Sequence, residues 1–146
     1  MRIALGIQYN GSAFCGWQTQ PDMPNVQDTL ESALKTFATV PISTICAGRT
    51  DTGVHATHQV VDFKAPVARP LTAWVRGVNT FLPPTVAVRW ACEVPDAFSA
   101  RFSATERTYA YLLLNDPVRS PLMEVFVGLV LRLCDVPIMQ AACQSR

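Results

Sequence analysis

At 146 residues and 16.0 kDa the chain has the length of one domain with a sizeable core. A composition of 49% hydrophobic and 16% charged residues excludes an intrinsically disordered chain. The longest apolar run, residues 125–131, is far short of the ~20 residues of a membrane-spanning helix. A net charge of +1 leaves no bulk footprint of a polyanionic partner. Ten of the twelve basic residues are arginine, which suits bidentate recognition of phosphate or carboxylate and is equally what GC-rich coding produces.

The five cysteines (Cys15, Cys46, Cys92, Cys134 and Cys143) are widely spaced and form no C-x-x-C pair. Neither a disulfide scaffold nor a zinc site is expected, and free thiols suit a reducing compartment. Residues 1–7 lack the apolar block and cleavage site of a secretory signal, so a cytoplasmic protein is expected.

In chain order, Ile3, Leu5, Ile7 and Tyr9 alternate with Arg2, Ala4, Gly6 and Gln8, the pattern of a half-buried strand that Asn10-Gly11-Ser12 ends. A loop with Phe14, Gly16 and Trp17 follows. Val26, Leu30, Ala33, Leu34 and Phe37 then form one helical stripe behind an Asn25 N-cap. Residues 42–47 and 58–64 predict two strands, the second with Val61 and Phe63 alternating against Val60, Asp62 and Lys64. Pro70 opens a second helix with Leu71, Trp74, Val75 and Val78 on one stripe, and Pro83-Pro84 stops it. Val86, Val88, Trp90, Cys92 and Val94 alternate as a further strand.

This order predicts an α+β, ferredoxin-like (split βαβ) fold with a mostly antiparallel sheet and both helices on one face. Residues 1–105 are expected to form this N-terminal subdomain. Residues 106–146 read as the truncated start of a second, similar half. It would hold a strand at 107–114 with Tyr109, Tyr111 and Leu113 on one side, a strand at 125–133, and a helix from Val136 behind an Asp135 cap. That helix runs to Arg146 without a C-cap signal.

Polar residues and glycines concentrate in Ala47-Gly48-Arg49-Thr50-Asp51-Thr52-Gly53-Val54-His55-Ala56, between two predicted strands. Its glycines permit close ligand approach, and Arg49 and Asp51 are spaced to meet at one site. An aspartate can act as a nucleophile without a base, provided a nearby cation keeps it charged when water is excluded. The spacing also fits an Asx turn, with Asp51 bonded to its own backbone and Arg49 in solvent. Asp51-Thr52-Gly53 matches the D-T-G of aspartic proteases, but that chemistry needs two carboxylates and apolar residues where Arg49-Thr50 stand. His55 and His58 are too sparse for a metal site. Phe14 and Trp17 are either base-stacking rings or loop aromatics folded over the core. Tyr109 and Tyr111 are either core or edge tyrosines or further stacking rings. Arg101, Arg107 and Arg119 are the candidate phosphate contacts.

The run 47–56, followed by Gln59-Val60, resembles the active-site motif of the bacterial A-type tRNA pseudouridine synthases. Ordered supporting matches are Tyr9-x-Gly11, Phe14-x-Gly16-Trp17-Gln18-x-Gln20, Val26-Gln27-x-x-Leu30-Glu31-x-Ala33-Leu34, Asn79-x-x-Leu82-Pro83, Phe98-x-Ala100-Arg101-Phe102-Ser103-Ala104 and Arg107-x-Tyr109-x-Tyr111. The resemblance implies two ferredoxin-like halves side by side and conversion of uridine to pseudouridine in the anticodon arm of tRNA, at positions 38, 39 and 40, without a cofactor. It implies Asp51 as nucleophile, Arg49 as the residue that fills the space of the extruded base and holds the carboxylate, and Tyr109 as the ring that stacks on the flipped uracil and helps remove its C5 proton. Arg101, Arg107, Tyr111, Phe14, Trp17 and His55 are the remaining RNA-binding candidates. Family members are nearly twice this length, and their second half supplies another wall of the cleft. They act as homodimers bridged by tRNA. The alternatives are therefore an inactive truncated portion or a non-catalytic RNA-binding module. An RNA recognition motif would share the fold, but its aromatic, basic strand signature is missing from the sequence.

Overall fold

The alternation of residues 2–9 produces β1 (Arg2–Tyr9), the strand on which the fold is assembled. In the computed structural model, which describes residues 1–144, β1 pairs antiparallel with β3 (Ala56–Lys64) on one side and β4 (Val86–Val94) on the other. The short β2 (Ile45–Cys46) joins β3, giving the order β2-β3-β1-β4. With α1 (Val26–Ala38) and α2 (Leu71–Asn79) this is the predicted split βαβ, ferredoxin-like half. Ile3, Leu5, Ile7, Val61, Phe63, Val86 and Val88 from the sheet meet Leu30, Leu34, Trp74 and Val78 from the helices in one core. The α1 start lies where Asn25 puts it, because its Oδ1 accepts the Asp28 N–H at 2.8 Å.

Three departures from the simple pattern have local causes. In β4, Ile7 pairs with Val88 but Gly6 pairs with Trp90, so Arg89 is an extra residue in a bulge. One extra residue inverts a period of two. Val86 and Val88 enter the core, whereas Trp90 turns to the other face and donates its Nε1–H to Nε2 of His58 at 3.3 Å. Strand β2 is shorter than expected because the Thr44 N–H and hydroxyl both donate to Oε1 of Glu31, at 2.8 and 2.9 Å, in place of a ladder partner.

The third departure is Asp62, which is fully buried although it lies on the face away from the helices. Segment 95–107 is tied over it. Oδ2 accepts from Arg2 Nε at 2.6 Å, Oδ1 accepts the Ala100 N–H at 2.6 Å, and Arg2 Nη1 reaches the Asp96 carbonyl at 3.3 Å.

The chain divides into two compact units, Met1–Arg107 and Thr108–Arg146. The second contains the parallel pair β5 (Leu113–Asn115) and β6 (Gly128–Val130), then α3 (Val136–Gln144), where Asp135 Oδ1 accepts the Ile138 N–H at 3.1 Å. The predicted strands 107–114 and 125–133 shrink to three residues each. Among the described residues each has only the other as a partner, and the Asn115 carboxamide ends the pair by bonding Val130, Arg132 and Cys134. Tyr109 and Tyr111 therefore stand outside any strand. Ser145 and Arg146, the end of the predicted helix, lie outside the described residues. Among the described residues no helix is long and apolar enough to cross a membrane.

Candidate active site

The end of β1 and the start of β3 bring two loops together, 10–17 and 48–55. Trp17 N–H donates to the Thr50 carbonyl at 2.9 Å, Gly53 N–H to the Phe14 carbonyl at 3.2 Å, and Gly11 N–H to Nδ1 of His55 at 3.1 Å. Beneath them the Tyr9 and Thr50 hydroxyls share a 2.8 Å hydrogen bond. Burial pushes the Tyr9 phenol up, against the opposing effect of its bonds with Thr50 and Gln59, so it stays protonated at neutral pH. Gln59, itself buried, donates to the Gly48 carbonyl at 2.5 Å and accepts the Gly48 N–H at 3.4 Å. Gly48 and Thr50 are thus positioned from below or from the side.

This close approach requires glycine at position 16, where φ is +92° and a Cβ would lie 2.7 Å from the Thr50 carbonyl oxygen. Gly16→Ala is expected to cost about 1–3 kcal/mol in backbone strain, read as a lowered urea midpoint, and to displace Thr50 and with it Asp51. Gly53, at φ +78°, completes a type II turn that Val54 N–H closes on the Asp51 carbonyl at 3.2 Å. The turn consumes the Asp51 backbone and not its side chain. Among the described residues the carboxylate accepts no hydrogen bond, so the Asx turn is not formed.

The carboxylate lines a cleft of about 380 Å³ together with Cys15, Trp17, Gln18, Gln20, Arg49, Thr50 and Thr52. Arg49 and Asp51 are both exposed and share this cleft without an ion pair. Elsewhere Arg2 pairs with Asp62 and Arg119 with Glu124. Below the cleft, burial pushes the Cys46 thiol up, while Arg49 and, more weakly, Arg101 act in the opposite sense. Two guanidinium groups therefore share the neighbourhood of the β2 end.

The other expected site residues are placed as follows. Phe14 and Trp17 are buried, at 7% and 2% exposure, with Trp17 centred 6.0 Å from the Tyr9 ring. They form the floor of the loop and are not free to stack on a base, because the loop bonds fold them into the core. Arg107 is held by backbone, its Nε donating to the Ala47 carbonyl at 2.9 Å and its Nη2 to the Arg101 carbonyl at 3.2 Å. It ties segment 95–107 to the end of β2. His55 braces Gly11. Arg119 lies in the second unit, 4.0 Å from Glu124. Tyr109 and Tyr111 also belong to the second unit, and both are exposed. Sequence reasoning passed over Tyr9, Gln59 and Asp62 as positioning residues. The available signal was a polar residue flanked by apolar ones in Gln59-Val60-Val61-Asp62-Phe63. Among the described residues no cluster of three His, Cys, Asp or Glu side chains is placed to hold a metal ion.

Residues 6–103, which contain the whole cleft, match the family model described as tRNA pseudouridine synthase. A tRNA pseudouridine synthase A from Burkholderia multivorans is 59% identical over 142 residues, which is 97% of this chain and 53% of the relative. Those of Verminephrobacter eiseniae and Dechloromonas aromatica are 57% and 58% identical, over 97% and 98% of this chain and 52% and 55% of their own lengths. The chain spans about half the length of the curated relatives it matches. With most of its length matched, and the cleft inside the match, the chain belongs to the tRNA pseudouridine synthase family.

Proposed function

We propose that this chain carries the pseudouridine-forming centre of a tRNA isomerase acting on uridines 38, 39 and 40 of the anticodon arm. The observation that carries the reading is the Asp51 carboxylate, unbonded and facing the same cleft as Arg49, on a loop whose backbone is fixed. In this reading a target nucleotide is flipped into the cleft at a cost of a few kcal/mol, which contacts there offset. The Asp51 carboxylate attacks C1′ of the ribose, and the N1–C1′ bond breaks with its electron pair leaving on uracil. Uracil turns, C5 takes C1′ from the carboxylate, the C5 proton leaves and N1 is protonated. All atoms of the uridine are conserved, so the reaction draws on no redox partner or cofactor. Arg49 occupies the space of the extruded base and steadies the carboxylate, and Tyr109 stacks on the uracil and takes the C5 proton. A homodimer bridged by tRNA and a cytoplasmic location belong to the same proposal.

The test is tritium release from tRNA transcripts carrying C5-labelled uridine, incubated with the purified chain. Release that disappears when uridines 38–40 are replaced by cytidine is the expected result. Binding without release would make the chain an RNA-binding half of the enzyme, and neither binding nor release would overturn the proposal.

A further inference from the structure

Phe102 is the most exposed large apolar side chain among the described residues of the first unit, at 82%. A phenyl ring left in water is unfavourable unless something covers it, and this ring is on a firmly held turn. Ser103 N–H donates to the Ser99 carbonyl at 2.7 Å, and Ser99 N–H donates to the Ser103 hydroxyl at 3.2 Å. Inside that turn Ala100 is buried, its N–H held at 2.6 Å by the buried Asp62 carboxylate. Arg107 links the Arg101 carbonyl to the Ala47 carbonyl, two residues before Arg49, so the turn is fixed beside the cleft. With the inner residue anchored, Arg101 and Phe102 are presented outward. The Arg101 guanidinium carbon lies 5.3 Å from the centroid over one side of the Phe102 ring, and the ring is otherwise open to solvent. The surrounding exposed residues Arg101, Ser103, Thr105, Glu106 and Arg107 are polar, so Phe102 is not the centre of an apolar patch suited to a protein partner.

We propose that the open face of Phe102 binds an unpaired nucleobase of the substrate RNA, in a stack of base, phenyl ring and Arg101 guanidinium beside the cleft. A base stacks on an aromatic face whatever its identity, and the cation behind the ring adds attraction for the neighbouring phosphate. The proposal rests on the reading of the chain as a tRNA-modifying unit, and it assigns Phe102 to binding, outside the chemical step.

The test uses an RNA anticodon stem-loop carrying 2-aminopurine at one loop position at a time. Fluorescence quenching and affinity are measured with the whole chain. Quenching is expected at one position on binding. Phe102→Ala should lose that quenching and weaken affinity roughly 5- to 100-fold. Phe102→Trp should restore both, whereas Phe102→Leu, which keeps apolar bulk without a π face, should not. Arg101→Ala should lower the slope of log affinity against log salt by about one. The ring is exposed, so an unchanged melting midpoint is expected for each Phe102 variant. A Phe102→Ala or Phe102→Leu chain that binds and quenches like the wild type overturns the stacking site and leaves the proposed activity standing. A wild-type chain that binds no stem-loop overturns both.

Discussion

Asp51→Asn is expected to abolish tritium release while the fold and the affinity for RNA stay as they were. Asparagine matches aspartate in size but offers no anionic oxygen to attack C1′, so the rate should fall by roughly a thousandfold or more. The structure makes this substitution a clean test. The turn at Asp51 uses only its carbonyl, which asparagine also has, and among the described residues the side chain makes no hydrogen bond or ion pair. Melting should therefore be unchanged. Asp51→Glu keeps the charge but moves the oxygens by about one carbon–carbon bond, a displacement that costs on the order of a hundredfold where reacting geometry is tight. Single-turnover release under saturating enzyme separates these outcomes from changes in binding. An asparagine variant with the wild-type rate would remove Asp51 from the role of nucleophile.

How much of this was legible without coordinates differs between the scaffold and the site. Strand β1, helix α1 with its Asn25 cap, and the inward Val61 and Phe63 follow from periodicity, because each depends on neighbours a few residues away. The far half of β4 does not, since the bulge at Arg89 is set by pairing with β1 and reverses every later residue. Asp62 reads as an outer-face residue by alternation, and it is buried only because a segment some forty positions later closes over it. Arg107 has the composition of a phosphate contact, yet two backbone carbonyls already occupy its guanidinium. The Arg49–Asp51 loop could be found as a cluster of polar residues and glycines. The frame that holds it, Tyr9 through Thr50 and Gln59 through Gly48, depends on long-range contacts that no local pattern carries. Phe102 was visible only as part of a motif, because exposure is a property of the folded surface.

Asp62→Ala is expected to destabilise the first unit strongly. It removes the partner of Arg2, whose side chain is 21% exposed, and leaves the N–H of buried Ala100 without an acceptor. Breaking a buried pair on one side costs about 3–5 kcal/mol, and the partial exposure of Arg2 favours the lower end. For a unit of this size about 3 kcal/mol corresponds to a fall of roughly 12–24 °C in Tm, measured by circular dichroism. Asp62→Asn should fall between, because its carboxamide oxygen can still accept from Ala100 while its NH2 meets the Arg2 donor. The same variant separates anchoring from chemistry. At a temperature where it is folded, a looser Ala100 lets the Arg101–Phe102 turn drift from the cleft, so KM for the stem-loop substrate should rise while kcat is retained. Asp62→Ala melting within about 3 °C of the wild type, on the scale set by the same relation, would show that the carboxylate is not what holds segment 95–107 in place.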